Sequence, residues 1–480
     1  MSDRRIRSPR PVPSNDLAQL LLGLEAEFEV PAPFDEATLE AAENAVANLA
    51  MPSEDATQIP FFTIDPEGAT DLDQAMYLEK TAEGYIVNYA IADVPAFVEL
   101  NSVLDQVARE RGQTFYLPHR KITLHPPVIS EDQGSLLPDK IRPAFHWKIS
   151  LDQAGSLGTV ELKRVIIKSR AQLDYASAQQ ELDNGSENEQ LKLLAEIGAL
   201  RIEQERLRGG ASLNLPDQEI EEDGDGYRLV SRVPLALEEH NAQISLLTGI
   251  AAARFMLNAG VGILRTMPQP EEKRLQEFRA QTQLLGHPWN DEISYGEYLH
   301  GLDVSDPKQL VIMHRAASLF RGADYRLIDG QPEDELIQAA LAAPYSHTTA
   351  PLRRLIDRFV LLTCHLITTG ENIPDELKDA LEQLPSLMRE SSTAANRVSR
   401  AALDLMEAFV LQSRVGEQFQ AIILQGGSNK DGKDSSGLLQ LIDLPVTGSF
   451  TGAGDPGSIA TVKLVHADPQ QRQINFEIVA

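Results

Sequence analysis

A chain of 480 residues exceeds a single ordinary core, and its 42% hydrophobic content is enough to fold one large domain with one or two small ones. A single cysteine, Cys364, excludes an internal disulfide framework and every multi-cysteine zinc pattern. The formal charge of -28 counts against a general nucleic-acid coat, although an acidic shell leaves room for a local basic channel.

Arg4, Arg5 and Arg7 are followed by Pro9, Pro11 and Pro13 rather than by an apolar run, and no segment reaches the ~20 apolar residues of a membrane helix. A soluble, cytoplasmic protein without membrane contact is expected. Leu17, Leu20, Leu21, Leu22 and Leu24 give an apolar side to a helix from Asn15 to Glu27, with Ser14 as a cap. A second helix is expected from Glu36 to Leu49. From Pro60 the texture becomes strand-like: Phe61 to Ile64, Met76 to Leu78 and Tyr85 to Ala92 carry aromatic and β-branched residues. Val103 to Arg111 reads as a helix, Thr114 to Pro118 as extended chain, and Phe145 to Ser169 as a hairpin turning at Gly155 to Gly158.

The middle of the chain is helical in pattern. Helices are expected over Asn188 to Glu203, Leu235 to Leu257, Glu271 to Leu284, Lys308 to Phe320, Leu352 to Thr368 and Ala394 to Gln412, with an acidic turn around Glu221 to Gly226. After Gly416 come short strands, Phe419 to Leu424, Gly437 to Leu441, Ala460 to Val465 and Gln473 to Ile478. These predict a small β-barrel, with a flexible loop over Gly427 to Gly437.

Chemistry concentrates in Asp65, Asp71 and Asp73, which fall in a tight loop between two expected strands. Asp71 and Asp73 alternate along extended chain and can aim oxygens the same way, while Pro66 and Gly68 allow a turn that returns Asp65 beside them. Three carboxylates held together repel unless a cation compensates, and Mg²⁺ prefers oxygen ligands. The competing reading is an Asp-rich surface turn. The spacing does not fit a calcium-binding EF-hand loop.

The segment Thr63-Ile64-Asp65-Pro66-Glu67-Gly68-Ala69-Thr70-Asp71-Leu72-Asp73-Gln74-Ala75 resembles the signature of the ribonuclease II family, T-I-D-P, two variable residues, A, one variable residue, D-L-D-D-A. Asp65, Asp71 and Asp73 match three of its four catalytic-centre aspartates, and Gln74 stands at the fourth. Tyr89-Ala90-Ile91-Ala92-Asp93-Val94 and Arg111-Gly112-Gln113-Thr114-Phe115-Tyr116-Leu117-Pro118 are similar to two further family segments. The resemblance places Tyr116 on the terminal nucleotide of RNA, where an aromatic ring can stack on any base. Tyr345 to Asp357 is similar to the family sequence Y-x-H-F-T-S-P-I-R-R-Y-x-D. There Pro351 is expected to open a helix, putting Arg353 and Arg354 in its first turn, where guanidinium groups and free N–H donors can hold phosphate. Two further positions depart from the pattern: Arg400 falls where the family has a late catalytic glutamate, which Asp404 or Glu407 could replace, and Gln243 falls where it has an upstream acid.

The resemblance implies an α+β fold: residues 1–55 a short helical segment and linker, 56–412 a ribonuclease II-type catalytic domain of mixed sheet and helices, and 413–480 an S1-like OB β-barrel. The segment before residue 56 is too short for the paired cold-shock domains usual in the family. The implied activity is metal-dependent hydrolytic 3'-to-5' exoribonuclease action releasing 5'-mononucleotides. Asp65, Asp71, Asp73 and Arg353 would be catalytic, the three aspartates would ligate Mg²⁺ or alternatively Mn²⁺, and Tyr116, Arg354 and Gln74 would bind substrate. The expected partner is a single-stranded RNA 3' end, taken up by a monomer. The alternative is a catalytically weakened RNA-binding homologue with a regulatory or scaffolding role.

Overall fold

The computed structural model describes residues 14–211, 217–223, 226–290, 292–426 and 436–479. The loop expected over Gly427 to Gly437 lies outside them, apart from its last two residues, which begin a strand. The chain starts with helices α1 (Ser14–Glu27) and α2 (Glu36–Ala47). Leu17, Leu21 and Leu24 are buried on one face of α1, and Asp35 caps α2 by accepting from the Thr38 amide at 2.8 Å.

A seven-stranded sheet follows, built from β1 (Glu54–Asp55), β2 (Phe62–Asp65), β3 (Gln74–Lys80) and β4 (Gly84–Ala92). Helix α3 (Val103–Arg111) and a small hairpin, β5 (Phe115–Leu117) and β6 (Arg120–Ile122), come next. The sheet is completed by β7 (Ile141–Asp152), β8 (Leu157–Lys168) and β9 (Ala171–Asp174) in the order β1-β8-β7-β4-β3-β2-β9. It is antiparallel except at the β1–β8 and β2–β9 pairs. Alternation sorts its side chains: Met76, Leu78, Val87, Tyr89, Ile91, Phe145 and Trp147 enter one core, while Ala75, Ala90, Ala92 and Ala144 enter another. Both faces are therefore covered, which is why β4 and β7 read as nearly continuous apolar runs.

The larger-residue face is covered by helices from the middle of the chain. In chain order this stretch holds α4 (Tyr175–Asp183) and α5 (Glu189–Arg208), a hairpin of β10 (Asp217–Asp223) and β11 (Gly226–Arg232) that lies outside that core, and α6 (Ala236–Ala259). Strand β12 (Ile263–Thr266), helices α7 (Glu272–Leu284), α8 (Tyr295–His300) and α9 (Pro307–Ala317), and strand β13 (Asp324–Leu327) follow. The two-residue strands β14 (Ile337–Gln338) and β15 (Ala343–Pro344) then lead into α10 (Leu355–Thr369) and α11 (Asp375–Leu411). Strands β16 (Gln418–Gln425), β17 (Ser436–Leu441), β18 (Thr447–Thr451), β19 (Ile459–Asp468) and β20 (Gln473–Ile478) close a barrel. The barrel is anchored by the long helix α11, whose Leu405, Met406 and Phe409 share a core with Phe419, Phe450 and Phe476.

The architecture is α+β, as expected, with several differences in detail. The acidic stretch read as a turn is the hairpin β10–β11. Helix α11 begins at Asp375 rather than Ala394 and continues through Pro385 for 37 residues. Strand β18 is an additional barrel strand. Helix α10 begins at Leu355 rather than Leu352, so Arg353 and Arg354 do not lie in its first turn. The Arg354 backbone is extended and bridges to Gln113, and the Thr114 amide donates to the Arg353 carbonyl at 2.9 Å; pairing with the chain after α3 wins over helix entry. Among the described residues, no helix is long and apolar enough to cross a membrane.

Candidate active site

The acidic loop leaves the end of β2 and re-enters the sheet at β3. Gly68 turns it with a positive φ of 78°, a conformation that suits glycine. The Leu72 amide donates to Ser135 Oγ at 2.9 Å, Ser135 Oγ donates to the Thr70 carbonyl at 2.7 Å, and Gln172 Nε2 donates to the Ala69 carbonyl at 2.8 Å. These bonds to distant segments hold the loop in one shape.

Asp73 is buried. It accepts the Leu352 amide at 2.7 Å through Oδ1, and its Oδ2 lies 3.4 Å from Arg353 Nε. Burial pushes its carboxyl well above the usual range, against the opposing pull of Arg353. Asp65 is pushed up to about 7, first by burial and then by the charge of Asp71, with Arg353 opposing. Asp71 is placed differently: Lys121 Nζ lies 2.8 Å from its Oδ1 and also 2.5 Å from Glu131 Oε1.

The two arginines divide. Arg354 spends its guanidinium on Asp357, with contacts of 2.5 and 2.8 Å, while Asp357 also accepts the Ala350 amide. Arg353 keeps a side chain about half exposed, 47%, beside Asp73. Tyr116 is also exposed, at 52%, and its hydroxyl end lies in the field of Asp71 and Arg353. Tyr116, Arg353 and Arg354 line a groove of about 210 Å³ whose other wall is Ala395, Asn396 and Ser399 of α11. Gln74 turns inward, its Nε2 donating to the Thr349 carbonyl. A carboxylate could not make that bond, so the amide ties the acidic loop to the arginine segment.

Other expected positions fall away from this groove. Arg400 exerts its charge on Asp404 and Glu407, which line a separate cavity of about 400 Å³ beneath the barrel. Glu407 is buried there and accepts from Gln218 Nε2 at 2.8 Å, so neither it nor Asp404 faces Arg353 across the groove. Gln243 is buried and donates to Glu205 at 2.8 Å. Lys121, Asn396 and Ser399 were not singled out by sequence. Only the pairing of Lys121 across from Tyr116 in a short hairpin could have suggested the first.

Among the described residues, no group of three or more His, Cys, Asp or Glu side chains closes on one point as a metal cage. The donors nevertheless fit a divalent cation. The buried carboxylate of Asp73 and the partly buried one of Asp65 both carry raised pKa values, and Mg²⁺ is commonly held by one or two carboxylates with water and phosphate completing its shell.

The family model described as the RNB domain matches residues 53–370, and the model of the RNase II-type exonuclease C-terminal S1 domain matches 417–479. Ribonuclease R of Mycoplasma genitalium is 25% identical over 421 residues, covering 82% of this chain and 57% of that protein. The structure of Mycoplasma genitalium RNase R with ribose-methylated single-stranded RNA superposes with a TM-score of 0.84 at 20% identity, covering 97% of this chain and 78% of that one. Yeast Ssd1, a pseudonuclease, superposes with a TM-score of 0.68 at 16% identity over 92% of this chain and 54% of that one. The chain spans 53% to 59% of the length of the first curated relatives it matches. With the RNB domain model covering 53–370 and its S1 companion covering the barrel, the chain belongs to the RNB-domain family of the ribonuclease II and R type.

Proposed function

We propose that this chain is a cation-dependent 3'-to-5' exoribonuclease that hydrolyses the terminal phosphodiester of single-stranded RNA and releases 5'-mononucleotides. The observation that carries this reading is the half-exposed Arg353 set 3.4 Å from buried Asp73 at the edge of a groove that Tyr116 also lines. Asp65 and Asp73 would hold Mg²⁺, or alternatively Mn²⁺, which supplies Lewis-acid stabilisation of the phosphate. Tyr116 stacks on the last base and fixes the scissile bond relative to the loop. Arg353 donates to a non-bridging oxygen and stabilises charge growing there during attack. Asp73 orients the attacking water. Arg354 braces the segment that carries Arg353, and Gln74 locks that segment to the acidic loop.

One observation favours a second reading, an RNA-binding homologue with weakened catalysis. The groove-facing residues of α11 are Ala395, Asn396 and Ser399, none of them an acid able to protonate the leaving oxygen. RNA labelled at its 5' end, incubated with Mg²⁺ or Mn²⁺, separates the two. Stepwise shortening of the labelled strand from its 3' end supports the hydrolase; intact, retained RNA supports the homologue.

A further inference from the structure

Lys121 is the charged group beside the acidic loop to which the hydrolytic reading gives no role. It sits on β6 directly across from Tyr116, so the hairpin that presents the ring also fixes the amine. Its Nζ reaches Asp71 Oδ1 at 2.8 Å, Glu131 Oε1 at 2.5 Å and Thr70 Oγ1 at 3.0 Å. An ammonium has three N–H donors, and these acceptors take all three. Thr70 in turn donates to Glu131 at 3.3 Å, closing the ring of contacts. The three acceptors come from two separate segments, the acidic loop and the turn at Val128–Gln133, and both converge on one side chain that is 28% exposed. A lysine held in this way has no donor left for a phosphate. It occupies Asp71 Oδ1 and counters part of that carboxylate's charge, while burial keeps the Asp65 and Asp73 carboxyls raised.

We propose that Lys121 is a built-in cation that withdraws Asp71 from metal ligation, leaving a centre for one divalent ion at Asp65 and Asp73. The proposal rests on the cation-dependent reading of this site and refines it. Lys121 is a positioning residue in this account. A mobile second ion beside Asp71 is replaced by a fixed charge of half its magnitude, which cannot be removed by a chelator.

The test is Mn²⁺ binding to the full chain without RNA, followed by electron paramagnetic resonance and calorimetry. The wild-type chain binds one Mn²⁺, and Asp65→Asn removes it. Lys121→Met keeps the stem but frees Asp71 and Glu131, so a second Mn²⁺ binds or affinity rises about tenfold. The double substitution Lys121→Met with Asp71→Asn leaves net charge unchanged and returns one Mn²⁺ with roughly wild-type affinity. A double variant that loses Mn²⁺ makes Asp71 a ligand and overturns the proposal, as does a folded Lys121→Met variant with unchanged stoichiometry and affinity. If the wild-type chain binds no Mn²⁺ that Asp65→Asn removes, the cation-dependent reading fails, and the lysine's role with it.

Discussion

Arg353 and Arg354 are adjacent in sequence and opposite in task. Arg353 stays about half exposed beside Asp73, so on the proposed reading Arg353→Ala should lower kcat by about 10²-fold with little change in melting temperature. Arg354 is clamped to buried Asp357, and Arg354→Ala leaves that carboxylate unpaired at a cost of about 3–5 kcal/mol. Thermal melts should therefore show a large drop for Arg354→Ala alone; equal melting of the two variants would refute the division. Asp65 supplies a pH signature. Its folded-state pKa is raised to about 7, chiefly by burial, so the unfolded chain binds fewer protons than the folded chain between about pH 4 and pH 7. That group's contribution to stability falls as pH rises through this window. In a chelator, melting temperature should decline from about pH 5 to about pH 8 by a few degrees, and Asp65→Asn should flatten the decline. An unchanged slope in the variant would show that Asp65 is not the titrating group. At this scale, the three aspartates and both arginines were named from sequence because each group falls in a short segment that resembles a ribonuclease II family motif. The split between Arg353 and Arg354 could not, since it depends on Asp357 folding back and on a backbone bridge to Gln113.

Elements position these residues through close contacts that sequence patterns do not display. Gly112 ends α3 with a positive φ of 69°, and a Cβ there would run into the Ser391 side chain of α11. Gly112→Ala should cost about 1–3 kcal/mol and loosen the β5–β6 hairpin that carries Tyr116 and Lys121, lowering melting temperature and weakening RNA binding together. Wild-type values for both would show that the contact does not set the hairpin. Most helices were legible because their apolar residues repeat at helical spacing. The first half of α11 was not: Pro385 and the polar run around Ser391 and Ser392 argue locally for a break, while burial of Leu381, Leu384 and Met388 in the main core keeps the helix whole. The β10–β11 hairpin was obscured by acidic residues that usually avoid strands. β18 was obscured by its length and by Gly448, which makes room for the ring of Phe476.

The whole molecule carries a net charge of -28, and of the site's cations Arg353 alone pairs loosely, 3.4 Å from Asp73 and about half exposed, so on the proposed reading RNA meets little free positive charge there. Arg354 and Lys121 are already paired with carboxylates, so few phosphates can displace counterions. Binding of a short single strand to Asp73→Asn should therefore depend only weakly on salt, with a slope of log affinity against log salt of about -1 to -2. A slope steeper than about -5 would reveal a basic channel elsewhere on the chain. The barrel's position was legible only as a domain at the end of the chain. Its docking rests on α11, on the pair His314 Nε2 and Gln440 Oε1 at 3.0 Å, and on Arg472 with Glu27 at 2.7 Å, contacts between residues far apart in sequence. The central claim is that the acidic loop and Arg353 form a working phosphodiesterase rather than a vestige of one. It is tested most directly by single-turnover cleavage of 5'-labelled RNA with Mg²⁺ or Mn²⁺, comparing the wild-type chain with Asp73→Asn at equal RNA occupancy. The account predicts stepwise 3' shortening by the wild-type chain and at least about 10²-fold slower cleavage by the variant with binding retained; equal rates for the two, or intact RNA with both, would contradict it.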